Sequence, residues 1–194
     1  MALPARRRNP LALTLFVAAC AGGPQPLDWQ MNAAQALQSF QRQYFAGSSA
    51  TAEGEFKSAR AELSRTGRAD LLARAELMRC AVRTAALEFD DCPGFEALRY
   101  GAGPDELAYA EYLAGRGRHA AGDDPLSRLV ALAVGFKRGS LAPEGMAGAV
   151  EIASAQGWRR PLLAWLGVQE KRAADAGDSE TAGRIRRRID LISG

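Results

Sequence analysis

Arg68–Phe89 reads RADLLARAELMRCAVRTAALEF. Alanine, leucine, glutamate and arginine, all strong helix formers, supply most of it. Leu71, Ala75, Met78, Val82, Ala85 and Phe89 recur at spacings of four and three. That spacing lays them along one stripe of a helix, facing a core. Arg79, Arg83 and Glu76 fall on another side, and Cys80 lies off the stripe, toward a different neighbour. The stretch predicts a helix that runs to Phe89 and is buried along one face.

The rest of the chain reads the same way. No period-two alternation persists over a useful length, so strands are not expected. Gly47, Thr66-Gly67, Pro93-Gly94, Gly103-Pro104, Gly115–Gly117, Gly122–Pro125, Gly139 with Pro143, Gly157 and Gly177-Asp178 punctuate it as turns. Asp124-Pro125 has the form of an N-cap followed by proline in the first turn, and Pro143 and Pro161 are placed to open helices likewise. The expectation is an all-α domain over residues 28–194, with about eight helices in stacked antiparallel pairs.

The N-terminus has a different character. Arg6, Arg7 and Arg8 precede an apolar run from Leu11 to Ala19, nine residues long. A membrane-spanning helix needs about 20. A basic start followed by a short apolar run is the pattern of a secretory signal peptide. Val17-Ala18-Ala19-Cys20 closes the run, and it resembles the lipobox of bacterial lipoproteins. The resemblance implies cleavage after residue 19, acylation of Cys20 and a tether over residues 20–27. Several acyl chains make a stable anchor where one does not. AGGPQPLD, after the cysteine, is a poor helix and a good tether, reaching at most roughly 25 Å. In that family an aspartate directly after the cysteine retains the protein in the inner membrane. Ala21 stands there instead, which implies the periplasmic face of the outer membrane.

The three signal-region arginines also carry the whole excess of positive charge. Without them the chain balances at 22 acidic residues and as many basic ones. A nucleic-acid binder needs a concentrated basic face, so no nucleic-acid partner is expected. Arginine greatly outnumbers lysine, a bias that a GC-rich genome produces without any functional demand. Beyond Cys20 two cysteines remain, Cys80 and Cys92. An even number in an exported chain reads as a disulfide. The condition is that the chain turns back within Asp90–Cys92 so that the Cα atoms come within about 7 Å.

Gly47, Ala52, Phe56 and Ala59 form G-x4-A-x3-F-x2-A. This resembles the second half of a tetratricopeptide repeat, in which small residues let two helices approach and the aromatic fills the gap. Gly177 and Ala182 repeat the first interval, with Arg186 where the aromatic would stand. The resemblance implies a repeat-like α-solenoid. An irregular helical bundle places small residues at the same spacings, and both arrangements stay open.

No catalytic constellation stands out. His119, the one histidine, lies in the polar turn GRGRHAAGDD and reads as a solvated loop residue. The pairs Asp90-Asp91 and Asp123-Asp124 read as turn formers and caps. One histidine and two paired cysteines make a poor zinc site, so neither metal nor cofactor is expected. Two stretches have the residue types of a binding surface. WRRPLLAWL contains Trp158, Arg159, Arg160 and Trp165, and tryptophan and arginine often anchor interfaces, although tryptophans more often fill a core. GRIRRRIDLI places Ile185, Ile189 and Ile192 on one stripe beside Arg184, Arg186, Arg187 and Arg188, the pattern of a terminal capping helix or of a basic surface helix.

The expected role is a non-enzymatic, lipid-anchored scaffold that binds another envelope protein. In outline it resembles pilus pilotins and outer-membrane assembly factors. An enzyme or activator of cell-wall metabolism, using the acidic loops, is the alternative. A small-ligand carrier, needing an enclosed apolar pocket, is another.

Overall fold

The computed structural model describes residues 27–194. The signal region, Cys20 and most of the tether lie outside the described residues. Among the described residues there are nine α-helices: α1 Asp28–Ala46, α2 Ser49–Ser64, α3 Ala69–Ala85, α4 Pro93–Glu96, α5 Pro104–Leu113, α6 Pro125–Lys137, α7 Pro143–Ala155, α8 Arg159–Asp175 and α9 Ser179–Ser193. α4 is a single turn, so eight helices of ordinary length make the domain, and no strand occurs among the described residues. No helix among them is long and apolar enough to cross a membrane.

α1 and α2 form a tight hairpin. Gly47 ends α1 at φ 97°, a left-handed turn that glycine adopts without strain. The turn brings Phe56 against Phe40, with ring centroids 5.2 Å apart, and buries Ala52 and Ala59 between the helices. The small residues and the aromatic of the repeat-like stretch therefore sit where a close helix pair needs them.

α3 is the hub of the domain, touching α1, α2, α4, α5 and α6. Here the structure corrects the one-stripe expectation. Ala73, Ala75, Leu77, Cys80, Ala81, Val82 and Ala85 are all buried, while Leu71 and Met78 are only half-buried. A helix enclosed on most of its circumference is apolar nearly all round, and the alanines allow neighbours to close in from several directions. Glu76, assigned to the polar side, is buried and ion-paired with Arg60 of α2. The helix also stops at Ala85, one turn early. Leu87 turns left-handed at φ 60°, and Phe89 lies beyond the helix, exposed.

α6, α7, α8 and α9 then pack in sequence. Asp124 caps α6 by accepting a hydrogen bond from the Ser127 N–H at 3.0 Å, with Pro125 in the first turn. Pro143 opens α7, and Pro161 lies in the first turn of α8. α8 returns to α1, where Trp158 meets Phe45 at 4.7 Å between ring centroids. In a solenoid each unit touches only its neighbours. The α3–α6 and α1–α8 contacts join elements far apart in the chain, so the packing of the described residues is not confined to chain neighbours.

Candidate functional site

The residues proposed from sequence as an exposed binding face are mostly structural. Trp165 is fully buried, its indole N–H donating to the Ala85 carbonyl at 3.1 Å and its ring edge-on to Phe136. It cannot face a partner. The helical phase that joins it to Leu162 points inward, because α8 is covered by α7, α9 and α1. Trp158 is half-buried against Phe45. Arg159 donates to the carbonyls of Ile192 and Ser193 at the end of α9. Arg160 donates to the Tyr44 carbonyl at the end of α1, to Glu88 and to Ser49, and lies over the Tyr44 ring. Arg186 pairs with Glu170 across the α8–α9 hairpin. Arg187 remains exposed. Ile185, Ile189 and Ile192 pack on the core, so α9 is a capping helix.

A cleft of about 400 Å³ lies elsewhere, between α3, α5, α6 and the loop 114–124. Its floor is apolar, formed by Leu77 and Ala81 of α3 and by Leu126 and Val130 of α6. Met78 of α3 adds a flexible apolar edge. The volume falls in the range of small-ligand and side-chain pockets.

The walls are positioned by helix ends. α5 ends at Leu113, and its terminal carbonyls need donors from elsewhere. α6 supplies them. Lys137 donates to the Leu113 carbonyl at 3.2 Å, and Arg138 donates to the carbonyls of Gly115, Arg116 and Gly117. These bonds fix the loop that carries His119. The His119 ring is exposed, as the sequence suggested, yet it is not free of the fold. It packs edge-on to Tyr109 at 4.8 Å and lies 5.3 Å from Tyr112, forming an aromatic wall at the mouth of the cleft.

The rim one turn nearer the start of α5 is ionic. Glu106, buried in the first turn of α5, accepts from the Arg74 guanidinium and from the Gly103 N–H. Arg74 holds the Glu106 carboxyl below its ordinary carboxylate value. Asp105 stands exposed beside it on the same rim. Burial pushes the Tyr109 hydroxyl up to about 12, and Tyr112 and Asp124 push in the same direction.

The second region of interest surrounds the bridge. Cys80 and Cys92 are joined, with Cα atoms 5.8 Å apart. The return that the sequence required is made through left-handed Leu87 and Cys92. Asp90 accepts from the Cys92 N–H and pairs with Arg83, so it is a turn former. Among the described residues, the one grouping with metal-ligand spacing is Cys80, Asp90 and Cys92, and its two sulfurs are bonded to each other.

The chain matches no protein-family model, no curated protein and no solved structure. The site therefore rests on geometry. The sequence singled out His119 but not Arg74, Asp105, Tyr109 or Ser127, which reach the cleft from three separate helices. The available signal was Tyr109 and Tyr112 one turn apart on α5, just ahead of the only histidine.

Proposed function

We propose that this chain is a non-enzymatic, lipid-anchored protein of the bacterial envelope, held through Cys20 at the periplasmic face of the outer membrane, and that it binds a segment of another envelope protein in the α3/α5/α6 cleft. The observation that carries the binding half is the cleft itself. An apolar floor beside an aromatic wall and an ionic rim offers both burial and orientation to an incoming side chain. The acidic pairs lend no comparable support to a wall-directed enzyme. Asp90 and Asp124 are committed to backbone N–H groups. A small-ligand carrier is the second reading, favoured by the same apolar floor.

The test is in-cell photocrosslinking from a reactive residue placed at Ser127, beside the cleft, with Lys57 on the exposed face of α2 as control. A reproducible protein adduct from position 127 and none from position 57 supports the scaffold. No adduct from 127 at full expression overturns it in favour of the carrier. Cys20→Ala should move the protein from membranes to the soluble fraction. Equal membrane retention removes the anchor from the reading.

A further inference from the structure

The cleft's rim has a charge balance that selects its occupant. Among the described residues, Arg74 is its one arginine or lysine, and that guanidinium is engaged with Glu106 through Nε. Asp105, on the same rim, makes no hydrogen bond or ion pair among the described residues. The N-termini of α5 and α6 both open toward the cleft and would ordinarily favour an anion. Each is already occupied by its own carboxylate, Glu106 on the Gly103 N–H and Asp124 on the Ser127 N–H. Asp105, also in the first turn of α5, is the one rim carboxylate without a hydrogen bond or ion pair among the described residues. One turn further along α5 stands the Tyr109 ring, packed against His119, and a tyrosine face attracts a cation.

Resting on the scaffold reading, we propose that the cleft takes a lysine or arginine side chain adjacent to an aliphatic one in the partner's segment. The aliphatic group fills the floor of Leu77, Ala81 and Val130, and the cation lies between Asp105 and the Tyr109–His119 wall. An acidic segment would place its charge against Asp105.

His119 is the only histidine, so its imidazole C2–H gives one reporter signal at the mouth of the cleft. The full chain, purified from membranes into deuterated detergent with a histidine-free tag, is titrated with N-acetyl-Leu-Lys-amide and with N-acetyl-Leu-Glu-amide. The lysine peptide should shift the His119 signal saturably and bind about two- to five-fold tighter than the glutamate peptide, the worth of an exposed ion pair. Asp105→Asn should abolish that difference while leaving the spectrum of the unliganded protein otherwise unchanged. Equal affinities, a preference for glutamate, or a lysine preference that survives Asp105→Asn overturns the proposal. The two readings fail separately. A crosslink from position 127 to a segment without a basic residue refutes the charge selection and keeps the scaffold. Lysine-selective titration with no crosslink refutes the scaffold and keeps the selection.

Discussion

Removing the Cys80–Cys92 bridge tests how the hub helix α3 is held to the turn and the short helix α4 beyond it. The bridge closes a short loop, with a sequence separation of 12. In the chain-entropy account, a loop of that size restricts the unfolded chain by about 3 kcal/mol. On the native side, the same segment contains left-handed Leu87 and Cys92, conformations that disfavour a side chain by about 1–2 kcal/mol each. Two other holds oppose that cost: the fully buried Phe95 and the Asp90 bonds to Arg83 and to the Cys92 N–H. Global stability should therefore fall by about 3 kcal/mol when both cysteines become alanine, or when the bridge is reduced. The melting temperature should fall by about 6–12 °C for a chain of this size. Urea unfolding followed by tryptophan fluorescence, with and without reductant, reads the first number. Alkylation of the untreated protein should label neither Cys80 nor Cys92. Hydrogen exchange should quicken first at Phe95 and Glu96, whose amides bond to the Cys92 carbonyl. A loss below about 1 kcal/mol, with exchange there unchanged, would refute the reasoning. The turn would then be held by Phe95 and Asp90 alone.

Three further outcomes are expected from the packing. Arg60→Ala leaves the buried Glu76 carboxylate without its ion pair. It should cost about 2 kcal/mol, less than a fully buried pair because Arg60 is partly exposed; Arg60→Ala combined with Glu76→Gln should recover part of that loss in urea titrations. Trp165→Phe removes the indole donor from the buried Ala85 carbonyl. It should cost about 1–3 kcal/mol and leave the His119 signal in place, since Trp165 does not line the cleft; a shifted His119 signal would contradict that separation. At alkaline pH, burial raises the folded-state values of Tyr44, Tyr109 and Tyr112, while unfolded tyrosines ionise near about 10. Their contribution is fully present below about 10 and is lost as pH rises toward the folded values. Denaturation midpoints should be level from neutral pH to about 10 and then fall, and a midpoint that rises across that window would reverse the sign.

What the sequence showed and what it hid divide along physical lines. Turn residues and helix formers act locally, so among the described residues helix follows helix from Asp28 to Ser193, with Asp124 and Pro143 in their assigned roles. The depth of α3 was hidden because periodicity detects the contrast between two faces, and an alanine-rich helix enclosed on most sides has little contrast to detect. Glu76 misled for the same reason. A charged residue at a core position reads as surface until Arg60, from another helix, is brought beside it. The cleft was hidden more deeply. Arg74, Glu106 and Val130 meet only because α5 and α6 both pack on α3, and no local pattern encodes that meeting.

The abundance of arginine acquires a structural meaning in this light. Helix C-termini leave carbonyls without intrahelical partners, and in a bundle of short helices such ends are many. Arg138, just past α6, serves the turn that ends α5, while Arg160 and Arg159, both at the start of α8, serve the ends of α1 and α9. A guanidinium presents several donors in a fixed fork. Arg138 thus satisfies three carbonyls and Arg159 two, and each carries a positive charge to the negative end of a helix dipole. Lysine, with a point charge on a flexible stem, holds such an arrangement less well. These clamps join elements distant in the chain, which local hydrogen bonds cannot do. They also consume the basic side chains that a surface reading would have assigned to a partner. The binding surface is therefore better sought where charge is left over, and Asp105 at the mouth of the α3/α5/α6 cleft is such a place.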